Sequence, residues 1–508
     1  LYTIDAYQVA QDTGMGRRIN TIMQVCFFKL AGVMDTDEAI AAIKKAIEKT
    51  YSKKGAAIVE KNFAAVEQAL SHLYAVDVDQ ALQSGIGERP PVPQIAPIFV
   101  RDVTAEMMAG RGDALPVSKL PVDGTYPTGT SQWEKRSIAQ FIPKWLEDHC
   151  IQCGNCSFVC PHAAIRAKFC HENELDGAPA SFQSMAINAR GFPEMRYLLQ
   201  VYPDDCTGCK LCVDACPVRD SDAEGNEVRA LQLVEKDPIL QDQRENLAFF
   251  EQLPWNKRSE VDFSNVRGVQ FLQPLFEFSG ACSGCGETPY LKIITQLFGD
   301  RMMVANATGC SSIYGGYLPT TPYTTDPEGR GPAWNNSLFE DNAEFGYGFR
   351  LTLDKQEEYA KELVASFSGT LGTDLVDALL TSPQQTEADY AAQRERVAQL
   401  RIRMAEDTSP AGKDLLSLAD VLVRRSVWIL GGDGWAYDIG YGGLDHVLAQ
   451  GRNLNVMVLD TQVYSNTGGQ MSKATPRGAV AKFAFAGRPL PKKDLGMIAM
   501  TYGNIYVA

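Results

Sequence analysis

Two copies of one cysteine motif constrain the fold of this chain more than any other feature. Each copy has the spacing C-x2-C-x2-C-x3-C and is followed by proline. The eight cysteines are Cys150, Cys153, Cys156, Cys160, Cys206, Cys209, Cys212 and Cys216. This spacing is typical of proteins that hold two [4Fe–4S] clusters, because three thiolates on one tight loop bind three irons and the fourth ligand comes from the other copy. The motif therefore predicts that Cys216 completes the cluster of the first copy and Cys160 that of the second.

A disulfide framework and zinc ribbons are the alternatives to iron–sulfur clusters. Disulfides are typical of small secreted domains, whereas this chain has 508 residues. Zinc sites use pairs of C-x2-C, which leaves the third cysteine at the same spacing and the repeated Cys-Pro ending unexplained. The pattern favours the clusters, and oxygen-sensitive clusters with free thiols predict a reducing compartment. We expect the cytoplasm of a bacterium, or a hydrogenosome-like organelle of an anaerobic eukaryote.

Three further cysteines form a second, less specific pattern. Cys282 and Cys285 have the C-x2-C spacing, and Cys310 follows in an Ala-Thr-Gly-Cys-Ser-Ser stretch. Soft thiolates at this spacing suit zinc or an iron–sulfur cluster, with a redox dithiol or packed thiols as the alternatives. No fourth ligand is evident. Of the remaining cysteines, Cys26 is expected to be a buried small hydrophobe, and the same role is favoured for Cys170.

Two apolar strands in the carboxyl-terminal half each end in a polar, glycine-rich turn. Residues 427–430 lead into a Gly-Gly-Asp-Gly turn, and residues 454–460 lead into the turn at 461–469. The carboxyl ends of neighbouring parallel strands form the ligand crevice of an open sheet, and glycines there let a diphosphate approach the backbone. A diphosphate is usually bridged by Mg2+, for which the Asp433 carboxylate and the Thr461 hydroxyl are the candidate ligands. The alternative is a pair of tight turns without a ligand.

The sequence predicts a multidomain α/β protein. Residues 1–88 are expected to alternate strands and helices, as part of an α/β domain. A proline-rich stretch then marks a boundary, and residues 89–140 are expected to be a linker or wrapping segment. Residues 141–240 form a two-[4Fe–4S] ferredoxin-like α+β module, and residues 241–508 an α/β ligand-binding domain. Within that domain, residues 354–406 are polar with a helical period and are expected to be a solvated helical insertion.

Composition and hydropathy argue against two functional classes. The chain has 48 Lys and Arg against 62 Asp and Glu, a formal net charge of −14, whereas nucleic-acid-binding proteins present a basic surface. No apolar run approaches the roughly 18–20 residues of a membrane-spanning helix. The first residue is Leu1 rather than Met, and residues 502–508 have the pattern of a strand that stops short. We therefore expect a section of a longer polypeptide.

Taken together, the motifs resemble the pyruvate:ferredoxin (flavodoxin) oxidoreductase family over essentially the whole chain. Beside the two cysteine motifs, the specific stretches are Cys-Ser-Gly-Cys-Gly-Glu at 282–287, Ala-Thr-Gly-Cys-Ser-Ser at 307–312, the turn at 432–440 and Tyr-Ser-Asn-Thr-Gly-Gly at 464–469. The resemblance implies oxidative decarboxylation of pyruvate with coenzyme A to acetyl-CoA and CO2, with electrons passing through [4Fe–4S] clusters to ferredoxin or flavodoxin. It also implies that residues 1–88 end a gamma-type α/β domain and that residues 241–508 bind thiamine diphosphate.

The resemblance implies metal ligands beyond the eight motif cysteines. Cys282, Cys285 and Cys310 correspond to ligands of a third [4Fe–4S] cluster, whose fourth ligand in the family comes from a segment beyond Ala508. The Mg2+ ligands correspond to Asp433, Thr461 and the carbonyl of Val463.

The resemblance likewise implies the organic ligand contacts. The thiamine diphosphate contacts correspond to Glu287, Cys310, Gly432, Asp433, Gly434, Trp435, Thr461, Gln462, Val463, Tyr464, Ser465 and Asn466. Asn466 also corresponds to an active-site residue near the substrate. Asn20 and Asn62 correspond to contacts with coenzyme A.

Other parts of the family have no counterpart in this sequence. These are the amino-terminal domains, with the glutamate that activates thiamine and the Thr and Arg that bind pyruvate, so this chain is not expected to be active alone. The full-length protein is expected to be a homodimer. The alternatives are an oxidoreductase for another 2-oxoacid, a variant with a fused flavin domain that reduces NADP, and a non-catalytic iron–sulfur electron-transfer protein.

Overall fold

The computed structural model describes residues 1–79, 90–221 and 225–508. Contacts between Cα atoms divide the chain into two compact units, Leu1–Pro90 and Pro91–Ala508. Within the described ranges, no helix is both long enough and apolar enough to span a membrane.

The first unit is mainly helical. Its helices are Ala6–Asp12, Asn20–Ala31, Thr36–Tyr51 and Ala56–Ala69. Its strands, β1 (Tyr2–Thr3) and β2 (Tyr74–Ala75), have two residues each and pair antiparallel. Over residues 1–79, this corrects the alternation of strands and helices predicted for residues 1–88, and residues 80–88 of that prediction lie outside the described residues. The apolar stretch that begins near residue 18 is a helix because Ile22, Val25 and Cys26, at helical spacing, all face the core.

The ferredoxin-like module is built from short antiparallel sheets around the two cysteine motifs. Strand β3 (Phe141–Trp145) pairs with β9 (Leu231–Glu235), and β6 (Met195–Val201) lies between β4 (Ile165–His171) and β5 (Met185–Ala186). Strands β7 (Asp220–Ser221) and β8 (Glu227–Val228), of two residues each, also pair antiparallel in this module. The short helices of the module and its flanks are Asn155–Val159, Leu211–Asp214, Leu240–Gln252 and Val266–Val269. Apolar side chains of both sheets, such as Trp145 and Tyr197, pack against the cysteine loops.

Residues 91–140 are irregular apart from short helical segments, and they pack along the rest of the second unit. The Gly129 amide donates to the Tyr323 carbonyl at 2.6 Å, and the Ser131 hydroxyl donates to the Glu277 carbonyl at 2.8 Å. The assignment of residues 89–140 as a linker or wrapping segment stays a prediction, and residue 89 lies outside the described residues.

A four-stranded parallel sheet forms the core of residues 270–508. Its order is β11 (Ala333–Ser337), β10 (Met302–Ala307), β12 (Ser426–Gly432) and β13 (Asn455–Leu459). The two strands singled out in the sequence, β12 and β13, are direct neighbours, so their carboxyl ends meet at one edge. A hairpin of β14 (Val463–Tyr464) and β15 (Gln470–Met471) follows that edge. The flanking helices are Thr288–Phe298, Cys310–Gly315, Tyr441–Ala449 and Leu495–Met500.

The strand predicted at residues 502–508 does not form. The helix Leu495–Met500 ends in a turn in which Gly503 has a φ of 76°, and residues 505–508 are irregular. A strand needs a hydrogen-bonded neighbour, and none of the described strands pairs with this segment.

The helical insertion has a core of its own, which corrects the expectation of a solvated segment. It consists of the helices Asn342–Ser366, Ser368–Leu371, Thr373–Thr381, Glu387–Met404 and Pro410–Leu418. Side chains such as Leu371, Leu400 and Leu415 are fully buried between these helices. The Glu387 carboxylate anchors the insertion to the rest of the unit through ion pairs with Arg258 at 2.7 Å and Arg301 at 2.9 Å.

Replacing Leu400 tests whether this core stabilises the insertion. We expect Leu400→Ala to lower the free energy of local unfolding by about 3 kcal/mol, because a fully buried leucine is lost and a cavity remains. Ile402→Ala is the matched control, since Ile402 lies on the same helix but is 75% exposed, and it should change that free energy by less than about 0.5 kcal/mol. Hydrogen exchange of the amides in residues 342–418 measures both. Equal effects of the two substitutions would contradict a packed core.

Candidate cluster and cofactor sites

The eight motif cysteines line two separate cavities, and each cavity takes cysteines from both copies. One cavity, of about 330 Å³, is lined by Cys150, Cys153, Cys156 and Cys216. The other, of about 370 Å³, is lined by Cys160, Cys206, Cys209 and Cys212. Each cavity is thus lined by three cysteines of one copy and by the fourth cysteine of the other copy, which is the grouping that the spacing predicts. The two cavities are called the first-copy and the second-copy cavity below.

Both motif loops turn through the same backbone conformations. The second residue after the first cysteine has a positive φ in each copy, 57° at Gln152 and 63° at Gly208. The residue after the second cysteine does too, 78° at Gly154 and 73° at Lys210. The buried Gln152 side chain holds the first loop through hydrogen bonds to the Ala186 carbonyl and from the Asn188 amide, both of 2.8 Å. These left-handed residues wrap each loop around its cavity.

The cysteines are free thiols whose buried environment makes deprotonation depend on a bound metal. All 13 cysteines are free of disulfides, and burial together with the neighbouring cysteines raises the pKa of Cys156 to about 12. Metal ligation is what deprotonates such thiols. Backbone amides donate to sulfur, from Gln152 to Cys150 at 3.3 Å and from Ala164 to Cys160 at 3.3 Å, as is usual around iron–sulfur clusters.

Among the described residues, no group of three or more His, Cys, Asp or Glu side chains is arranged to hold a single metal ion. A mononuclear zinc site draws its thiolates to about 2.3 Å from one atom, whereas a cluster spreads them around a cube.

A third cavity is lined by the remaining cysteine pattern. Its wall includes Cys282, Cys285 and Cys310, and its volume is about 1,670 Å³. The loop that carries Cys282 and Cys285 lies against the second motif copy, where the Ser283 hydroxyl is 3.3 Å from that of Thr207. The third cavity therefore lies next to the second-copy cavity.

A cleft of about 730 Å³ opens at the carboxyl ends of β12 and β13. Among the residues predicted to contact thiamine diphosphate, those that line it are Glu287, Cys310, Gly432, Asp433, Gly434, Trp435, Thr461, Val463, Tyr464, Ser465 and Asn466. Gln462 has a φ of 66° and is not among the lining residues. Gly434 is required by the packing here, because an added Cβ would lie 1.7 Å from the Tyr464 ring.

Oxygen atoms converge at the floor of this cleft. The Thr461 hydroxyl is 3.2 Å from Asp433 Oδ1, 3.0 Å from the Val463 carbonyl oxygen and 2.8 Å from the Ser465 hydroxyl. Asp433 is only 2% exposed, and its Oδ2 has no hydrogen-bond partner among the described residues. Burial raises the pKa of this carboxyl. A buried carboxylate oxygen without a partner, beside a hydroxyl and a carbonyl, is an oxygen ligand set that fits Mg2+.

The cleft and the third cavity share a wall. Glu287, Cys310, Thr461, Ser465 and Asn466 line both. The Tyr314 hydroxyl donates to the Glu287 carboxylate at 2.8 Å, and burial raises the pKa of Glu287. A ligand in the cleft and a cluster in the third cavity would therefore be in contact through the same side chains.

Several cleft residues were missed by the sequence analysis. Thr308, Gly309 and Ser311 lie beside Cys310 in a stretch that was already singled out for its cysteine, so their proximity was a usable signal. Phe339 also lines the cleft, but it follows β11, whose polar sequence gives no strand signal.

The two residues predicted to contact coenzyme A lie in the first unit. Asn20 is exposed at the start of its helix, and Asn62 is buried. The Asn62 amide donates to the Ile58 carbonyl of its own helix at 2.8 Å. The coenzyme A contact stays a prediction for both residues.

Four family models match the chain. The models match a "Pyruvate ferredoxin/flavodoxin oxidoreductase" region at residues 1–72, a "Domain of unknown function" at 86–139, a "4Fe-4S dicluster domain" at 149–219 and a "Thiamine pyrophosphate enzyme, C-terminal TPP binding domain" at 416–508. The last two matches coincide with the two motif copies and with the cleft. They support iron–sulfur clusters and thiamine diphosphate as the cofactors of these regions.

Curated relatives match the chain over its whole length. A putative pyruvate-flavodoxin oxidoreductase of Synechocystis is 57% identical, and a pyruvate:ferredoxin oxidoreductase of Moorella thermoacetica is 48% identical. The chain spans 42% and 43% of the length of these two relatives. A mitochondrial pyruvate dehydrogenase [NADP(+)] of Euglena gracilis is 43% identical, and the chain spans 28% of it. The chain belongs to the pyruvate:ferredoxin (flavodoxin) oxidoreductase family.

Proposed function

We propose that this chain supplies the thiamine diphosphate anchor and the electron path of an enzyme that oxidises pyruvate to acetyl-CoA and CO2. The observation that carries the proposal is the wall shared by the cleft and the third cavity, which includes Glu287, Cys310 and Asn466. An enzyme that only decarboxylates has no use for a cluster site beside its cofactor. A purely electron-transferring protein has no use for the cleft.

The residues of the cleft have separable tasks in this proposal. Thiamine diphosphate, when bound, supplies the electron sink that 2-oxoacid decarboxylation requires. Gly432 leaves room for the ligand, since the only atom within 4 Å of an added Cβ would be the Leu459 carbonyl oxygen at 3.8 Å. Asp433, Thr461 and the Val463 carbonyl hold Mg2+ against the diphosphate, and Asn466 contacts the substrate on the side of the third cavity.

The electron path runs through three cavities in this proposal. Cys282, Cys285 and Cys310 would hold the cluster beside the cleft, the cysteines of the second-copy cavity would hold the next one, and those of the first-copy cavity would hold the last. The contact between the Cys282 loop and Thr207 supports this order. Ferredoxin or flavodoxin then takes the electrons, in keeping with the names of the bacterial relatives.

A second candidate acceptor is NADP, and it is favoured by one observation. The Euglena relative, named for NADP(+), matches the whole chain at 43% identity. The part of the enzyme in this chain therefore suits either acceptor.

Three further elements of the proposal concern the complete enzyme. Coenzyme A is the acetyl acceptor, the enzyme is a homodimer, and it works in the cytoplasm or in a hydrogenosome-like organelle. The free thiols support a reducing compartment.

Replacing Gly432 tests the position of thiamine diphosphate. We expect Gly432→Ala to weaken binding of thiamine diphosphate at least tenfold in the presence of Mg2+, because the methyl group takes space in the cleft. Gly442→Ala is the control, since Gly442 lies on an exposed helix position with no atom within 4 Å of an added Cβ. Isothermal titration gives the dissociation constants, and EDTA should weaken binding by the parent chain. Equal affinities of all three chains would contradict this placement.

Dye reduction tests the proposed reaction. For the full-length protein that contains this chain, supplied with thiamine diphosphate, Mg2+ and coenzyme A, we expect pyruvate to reduce methyl viologen under anaerobic conditions. Reduction with 2-oxoglutarate or indolepyruvate but not with pyruvate would contradict the substrate. Clusters that dithionite reduces but no 2-oxoacid reduces would indicate an electron-transfer protein instead.

A further inference from the structure

Lys292 is a buried lysine that contacts the segment between the first-copy and second-copy cavities. It lies on the helix Thr288–Phe298 and is 3% exposed. Its ammonium donates to the Ser157 carbonyl and, at 3.2 Å, to the Phe158 carbonyl. Both carbonyls belong to the segment between Cys156, which lines the first-copy cavity, and Cys160, which lines the second-copy cavity.

No carboxylate balances this charge among the described residues. In the part of the chain that the structure describes, Lys292 forms no ion pair with Asp or Glu, and the nearby groups whose charge would act on its ammonium are the thiols of Cys160 and Cys156 and the Arg166 guanidinium. A buried lysine is almost always paired, because transfer of an ammonium from water into the protein interior costs several kcal/mol. Among the described residues, the cysteines of the two cavities are therefore the candidate counter-ions, once a bound cluster makes them thiolates.

The other buried lysine of the module, Lys168, provides a contrast. It is 1% exposed and also donates to two backbone carbonyls, those of Phe250 at 2.9 Å and Leu253 at 2.6 Å. Its ammonium further lies over the rings of Phe250 and Trp255. The cysteine that interacts with it is Cys170, which belongs to neither motif. Carbonyl hydrogen bonds are thus common to both lysines, whereas only the carbonyls bound by Lys292 lie on the segment between Cys156 and Cys160.

We propose that the Lys292 ammonium is a built-in counter-charge shared by the two ferredoxin-type clusters, and that it raises the reduction potential of both. Each reduction adds one negative charge to a cluster, and a fixed positive charge in a medium of low dielectric constant stabilises the reduced form. Lys292 is a positioning residue for electron transfer and makes no contact with substrate. The inference rests on the cluster part of the proposed function.

Redox titration followed by electron paramagnetic resonance tests this role. The titration uses the cluster-loaded chain with chemical mediators and without pyruvate, so the proposed reaction can fail without affecting the result. Lys292→Gln keeps amide donors for the two carbonyls but carries no charge. Lys292→Arg keeps the charge. Lys168→Met is the matched control for the loss of a buried lysine.

We expect Lys292→Gln to lower the midpoint potential of both clusters, with at least a tenfold change in the reduction equilibrium, which is about 59 mV for one electron. Lys292→Arg and Lys168→Met should change that equilibrium less than threefold. Unchanged potentials in Lys292→Gln, or an equal shift in Lys292→Arg, would overturn the proposal.

If Lys292→Gln does not bind its clusters, iron uptake by the variants tests the proposal instead. Anaerobic reconstitution with iron and sulfide that succeeds for Lys292→Arg and fails for Lys292→Gln would support the counter-charge, because the two variants differ in charge. Failure of both, with normal loading of Lys168→Met, would show that the shape of Lys292 matters rather than its charge, and would overturn the proposal.

Discussion

The exchange of one cysteine between two loops is the constraint on which the rest of the module depends. Cys160 leaves its own copy of the motif and lines the second-copy cavity, while Cys216 lines the first-copy cavity. Each loop can then be short and tightly turned, because it has to supply only three sulfur atoms. The exchange also joins the loops, so that neither cavity is complete without the other.

The cleft at the sheet edge lies beside the third cavity because one loop serves both. The loop of Cys282 packs against the second motif copy, and the residues that follow it, from Glu287, reach the carboxyl edge of the parallel sheet. Glu287 and Cys310 therefore face a cleft on one side and a cluster cavity on the other. The cleft and the third cavity are therefore separated only by side chains that line both.

Much of this site could be predicted from the sequence because the signals are local. The cysteine spacing gave the exchanged partners, since the length of a loop limits which sulfur atoms meet. The pairing of β12 with β13 followed from two apolar strands that end in glycine-rich turns. The contact of Lys292 with the cysteine loop gave no such signal, because 135 positions separate it from Ser157.

The errors in the fold have physical reasons as well. The stretch that contains Val25 and Cys26 forms a helix in which Ile22, Val25 and Cys26 are buried together, while Met23, Phe27 and Leu30 are exposed. A run that is apolar on several sides does not distinguish a helix from a strand by its period. The helical insertion mixes apolar with many charged and amide residues, and Leu371, Leu400 and Leu415 come together once five helices pack. Periodicity shows which side of a helix is apolar, but it does not show which other helix covers it.

Electron paramagnetic resonance of single cysteine variants tests the exchange most directly. In the reduced, cluster-loaded chain, Cys216→Ser should alter the same signal as Cys150→Ser, and Cys160→Ser should alter the same signal as Cys209→Ser. The exchange predicts these pairs because a serine ligand perturbs the cluster to which it belongs. If Cys216→Ser instead alters the same signal as Cys209→Ser, each motif copy holds its own cluster, and the exchange of the fourth cysteine is contradicted.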